Sequence, residues 1–121
     1  MFVEYNPNPL AKRVGDCTVR AIAKATGLTW DGAFAKLSAY GFQLADMPSS
    51  NLVWGAYLQE KGFSRHLVQD TEYSVRRFAE EHPCGAFVLA LSGHVVTVVD
   101  GNYFDTWDSG DEVPIYYWQK E

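Results

Sequence analysis

The period of the apolar pattern changes once along this chain, at Pro83, and that change limits what it can fold into. Before Pro83 apolar residues recur at three- and four-residue steps, the spacing of helices buried on one face. Val19, Ile22, Ala23 and Thr26 define a first helix from Asp16 to Thr26, with Asp16 as N-cap and Gly27 as stop. Trp30, Phe34 and Leu37 define a second from Thr29 to Tyr40, ended by Gly41, with Phe42 to Pro48 as a loop. A third opens at Ser50 or Asn51, turns Leu52, Val53, Ala56 and Tyr57 inward and closes at Gly62. A short strand, Phe63 to Val68, follows it. Thr71 then caps a fourth helix through Glu81, which Pro83 cannot continue.

Beyond Pro83 the pattern is that of strands: Gly85 to Leu91, His94 to Val99, Tyr103 to Trp107 and Val113 to Trp118. Asp100-Gly101 is a hairpin turn signal. Helices first and strands last predict an α+β fold, with N-terminal helices packed on a C-terminal antiparallel sheet. The first fourteen residues, which include Asn6-Pro7-Asn8-Pro9, read as an extended arm. No repeat, low-complexity tract or linker interrupts the sequence, so residues 1–121 are expected to form a single domain.

Charge and hydropathy exclude several classes of function. The net charge is -5, and the densest basic spot, Arg76-Arg77, is followed closely by Glu80 and Glu81. No nucleic-acid partner is expected of such a chain. No apolar run is long enough to cross a bilayer, so no membrane partner is expected either. The start, Met1-Phe2-Val3-Glu4-Tyr5-Asn6, lacks the basic and apolar stretches of a secretory signal, which makes a cytoplasmic location the expectation. There, Cys17 and Cys84 are expected to stay unpaired.

The chemistry centres on Cys17, in Gly15-Asp16-Cys17-Thr18, where the first helix begins. Free backbone N–H groups in a first helical turn favour a negative sulfur, and a nearby imidazolium favours it more. The adjacent Asp16 opposes both unless its carboxylate turns away. His94, at the head of a strand otherwise made of valine and threonine, is the candidate base. A catalytic histidine presents one nitrogen to the sulfur and has the other held by an acceptor. If Asp100-Gly101 is a two-residue turn, Val99 pairs with Asn102, and Asp105 becomes a diagonal neighbour on the histidine's face. A three-residue turn places Asp108 opposite His94 instead, so one residue of register exchanges the two acids. Asp105 is preferred and Asp108 is the alternative. Both are also compatible with a plain loop-end role, and Cys17 and His94 with a buried thiol and a strand-end residue.

Other residues read more simply. The spacing of His82, Cys84 and His94 matches no standard zinc pattern, and no metal or other cofactor is expected. Cys84 reads as a thiol at the edge of the core and His66 as exposed. Trp30, Trp54, Tyr57 and Trp118 fall within apolar stripes. Tyr116 and Tyr117 must face opposite ways.

The order Cys17, His94, Asp105 resembles the papain-like cysteine peptidases in a very small version. Asp105-Thr106-Trp107 is similar to that group's Asn-Ser-Trp run, and Gly15 to Trp30 looks like the start of compact peptidase-like domains of phages and bacteria. The resemblance implies a papain-like fold, a Cys17–His94–Asp105 thiol nucleophile and Trp107 as the indole shielding the histidine–acid bond. It implies a peptide or protein substrate and chemistry shared by peptidases, isopeptidases, amidases and acyltransferases. The Gln that precedes the nucleophile in that group is missing from residues 10 to 16. Asn6 or Asn8, if the arm folds back, and the Cys17 backbone N–H are the oxyanion candidates. For so short a chain, a shallow cleft or one completed by a partner is expected. The competing reading is a noncatalytic module that keeps a peptidase-like fold and binds another protein.

Overall fold

In the computed structural model, which describes residues 1–121, the chain runs β1 (Phe2–Glu4), α1 (Cys17–Thr26), α2 (Trp30–Leu44), α3 (Asn51–Glu60), β2 (Phe63–Leu67), α4 (Val75–Glu81), β3 (Ala86–Leu91), β4 (His94–Val99), β5 (Asn102–Asp105) and β6 (Tyr116–Lys120). The fold is α+β, with one six-stranded sheet in the order β1-β5-β4-β3-β6-β2. Side chains alternate across β3. Val88 and Ala90 pack with Val19, Ile22, Leu37, Trp54 and Leu58 of α1, α2 and α3. Phe87, Leu89 and Leu91 pack on the other face with Val75, Phe78 and Ala79 of α4. The valine-rich strands are thus covered on both sides, which explains their nearly unbroken apolar sequence. No helix is long and apolar enough to cross a membrane.

Several boundaries differ from those read in the sequence. The sheet is mixed rather than antiparallel, because residues within the expected arm form β1, which pairs parallel with β5. Helix α2 runs through Gly41 to Leu44 and ends at Ala45, whose φ is 54°. Gly41 is there for space: a Cβ on it would lie 2.6 Å from the Asp46 carbonyl oxygen, where the chain folds back over the helix. Helix α4 starts later than Thr71 because Ser74 accepts from the Arg77 N–H, while Asp70 holds the preceding residues in a turn through the Glu72 N–H. Strand β6 begins at Tyr116 rather than Val113.

The hairpin between β4 and β5 is the one a two-residue turn dictates. Val99 pairs with Asn102, Val98 with Tyr103 and Thr97 with Phe104. Asp100 and Gly101 both have positive φ, 50° and 81°, as the favoured tight hairpin turn requires. The start of β4 and the end of β5 therefore lie together at one end of the sheet. Helix α1, packed on β4, begins there too.

Candidate active site

Cys17 is the first residue of α1, and Gly27, with φ of 73°, ends the helix in the left-handed conformation. Asp16 occupies the N-cap position, but its side chain does not cap. It turns inward instead. Its Oδ1 accepts from Arg20 Nη1, and its Oδ2 accepts from Trp30 Nε1 at 2.9 Å. The carboxylate that would oppose a thiolate is thereby paired with a buried cation. The first-turn N–H groups beside the sulfur are left without a capping side chain.

His94 opens β4 and donates from Nε2 to Asp105 Oδ2 at 2.6 Å. Asp105 is 1% exposed and has three further donors. Ser109 Oγ donates to Oδ2 at 2.7 Å, the Thr106 N–H to Oδ1 at 2.8 Å, and Arg20 Nη2 to Oδ1 at 3.1 Å. With Nε2 held by the acid, Nδ1 is left for the sulfur, and Cys17 and His94 line one cavity. Trp107 lies against the imidazole, with ring centroids 5.1 Å apart.

The three titrating groups shift as an ion pair with an anchoring acid would. Burial pushes the Cys17 thiol up, but hydrogen bonds from His94 and the Val95 backbone, with the charges of His94 and Arg20, outweigh it and hold the thiol below its ordinary value. Burial pushes His94 down, yet the bonds to Asp105 and Cys17 and their charges raise it to about 9. Burial pushes Asp105 up, and the bonds from His94 and Ser109 more than reverse this, leaving it below the usual carboxylate range. Thiolate and imidazolium are therefore mutually favoured.

The remaining site expectations fall on either side of this cluster. Asp108 does not orient His94: it accepts from Tyr103 Oη at 2.5 Å and from the Gly110 N–H at 3.0 Å. Asn6 and Asn8 are committed to the turn of the arm. Asn6 Nδ2 donates to the Lys12 carbonyl, and Asn8 Oδ1 accepts from the N–H groups of Leu10 and Lys12. Neither lines the cavity at Cys17. That cavity, about 270 Å³, is bounded by Gly15, Thr18, Gly93 and His94 and by Ser49 and Asn51. Asn51 Oδ1 accepts from Trp54 Nε1 at 3.0 Å, which leaves its amide N–H groups as free donors.

Arg20, Ser109 and Asn51 escaped the sequence reading. Arg20 is invisible by pattern, since an arginine three residues after a helix start ordinarily faces solvent; here it is 5% exposed and joins α1 to β5. Asn51 read only as a helix opener. Both cysteines are free, and no cluster of side chains suited to a metal ion is present. Comparison of the chain with protein-family models, curated proteins and solved structures finds no match.

Proposed function

We propose that this protein is a cysteine hydrolase of the peptidase or amidase type, acting on an amide or isopeptide bond of a peptide or protein. The observation that carries the reading is the placement of Cys17 and His94 on the wall of one cavity, with the imidazole bonded to the buried Asp105. In this reading the papain-like resemblance extends to function, and no cofactor takes part.

The Cys17 thiolate attacks the substrate carbonyl carbon, forming a C–S bond while the carbonyl oxygen takes the electron pair. Developing charge there meets first-turn N–H groups of α1 and the Asn51 amide, in place of Asn6 and Asn8. The His94 imidazolium gives its Nδ1 proton to the leaving nitrogen as the C–N bond breaks. Neutral His94 then takes a proton from water, whose oxygen displaces sulfur from the thioester and frees the acid. An amine in place of water makes the same site an acyltransferase. Asp105 keeps the imidazole oriented and stabilises its charge, and Arg20 holds Asp105 in place. Free thiols fit a reducing compartment such as the cytoplasm.

The test is an electrophilic activity probe applied to the native protein and to Cys17→Ala, read by peptide mass spectrometry. Labelling at Cys17 in preference to Cys84, lost in H94Q, supports the reading. Labelling that ignores Cys17 returns the protein to a noncatalytic binding module.

A further inference from the structure

The Cys17 cavity does not end at the nucleophile. It shares Gly15 and Ser49 with a larger cavity of about 440 Å³. It also shares Asn51 with a cavity of about 380 Å³ that reaches Tyr116 and Trp118. The cavity at the sulfur thus adjoins two others rather than standing as an isolated dent.

The larger cavity, formed where the N-terminal arm passes over α1 and α2, has a distinctive wall. Leu10, Val14, Val19, Trp30 and Phe34 supply its apolar lining. Trp30 and Phe34 are stacked, with centroids 5.1 Å apart and planes 20° from parallel, so they offer a rigid aromatic surface. Trp30 is fixed further by its bond to the buried Asp16. Leu10, Val14 and Phe34 are 72%, 49% and 45% exposed, an apolar concentration with no partner inside the chain. Asn8, Lys12 and Ser49 complete the lining with polar groups. A volume in the range of ligand sites, an apolar floor and a few polar groups are the features of a side-chain pocket.

We propose that this cavity receives a large apolar side chain, aromatic or branched aliphatic, from a peptide whose neighbouring carbonyl lies over Cys17. The proposal rests on the nucleophile reading for its role in turnover, though not for its test. The polar lining favours a peptide over a bare hydrocarbon chain, because the amides flanking the side chain need partners where they leave water.

Three chloromethyl ketones separate the possibilities: acetyl-phenylalanyl, acetyl-glycyl and decyl. Each alkylates a thiol by forming a C–S bond at the methylene as chloride leaves and the thiol proton passes to His94 or solvent. Rates are compared at Cys17 itself, so its intrinsic reactivity cancels, and iodoacetamide measures that reactivity separately. The phenylalanyl reagent is expected to react with Cys17 about tenfold faster than the glycyl one, with the decyl reagent slower than the phenylalanyl. In F34D, a change at a half-exposed position, the phenylalanyl-to-glycyl ratio falls toward one. Equal phenylalanyl and glycyl rates in the native protein overturn the pocket, even if iodoacetamide finds Cys17 activated. A faster decyl reagent overturns the peptide assignment. An unactivated Cys17 with the phenylalanyl preference intact overturns the hydrolase reading and leaves the pocket standing.

Discussion

The molecule places a cysteine near a histidine along the sequence in one region and brings such a pair together from afar in another. The two outcomes are opposite. In His82-Pro83-Cys84, His82 stacks on Phe78 at 3.8 Å, Nδ1 donates to the Phe78 carbonyl, and Cys84 is exposed. At the start of α1, Cys17 meets His94 from a distant strand, and His94 is held by an acid that is itself held by an arginine. Aromatic packing holds the first, half-buried histidine against α4. Charged partners raise the second above its ordinary value. Residue types alone do not distinguish the regions; what holds the far nitrogen of the ring does.

Removing each histidine breaks this comparison most sharply. H94Q is expected to slow Cys17 alkylation at pH 6 by about a hundredfold or more, because a thiol returned to its ordinary value of ~8.5 is less than about 1% ionised there. H82Q should leave that rate within about twofold. Equal effects in one mass-spectrometric assay would erase the distinction between the regions.

Arg20 tests the same contrast through stability. R20M leaves Asp16 and Asp105 buried without their cation, at a cost of about 3–5 kcal/mol in urea unfolding. A loss below about 1 kcal/mol, as for an exposed ion pair, would contradict the buried network.

The raised His94 adds a pH signature. Its folded value, about 9, lies above the roughly 6.5 of an unfolded histidine, so folding favours its charged form. The stabilisation is fully present below the unfolded value and is lost as pH rises through the folded one. Measured in a C17A background, where no thiol titrates in the opposite sense, the stability advantage of His94 over Gln at this position should therefore shrink as pH rises from about 6.5 toward about 9. An advantage that grows over that interval would reverse the assignment.

The smallest effects separate the two acids. S109A removes one of four donors to Asp105 and should cost about 1 kcal/mol, read by urea unfolding. D108N, at a carboxylate bonded to Tyr103, should leave Cys17 alkylation within about twofold. A large loss of reactivity in D108N would restore it as the orienting acid.

Period and turn chemistry made much of this fold legible. Helical spacing marked the ends of α1 and α3 closely because each ends near a glycine of positive φ, Gly27 and Gly62, although Leu52, read as inward, is exposed. The same rule misplaced the end of α2, where Gly41 answers to a neighbouring backbone rather than to the helix's own path. Strand β1 carries only three residues and draws its partner from β5 at the far end of the chain, so no local pattern reveals it. At the site, the Asp100-Gly101 turn fixed the register and with it the choice of Asp105 over Asp108 as the acid beside His94. Arg20 and Asn51 lay beyond such reasoning, since what distinguishes them is the company the tertiary fold gives them.

The central claim is that Cys17 and His94 share a proton so that the sulfur is anionic at neutral pH. Iodoacetamide alkylation of both cysteines, followed residue by residue from pH 5 to 9, measures this directly, with the exposed Cys84 as reference within the same molecule. Cys17 should react faster than Cys84 at pH 6 and change little in rate from there to about pH 8, as expected of a thiol held below its ordinary value. A Cys17 rate that climbs tenfold per pH unit up to ~8.5, as that of a free thiol does, would contradict the account.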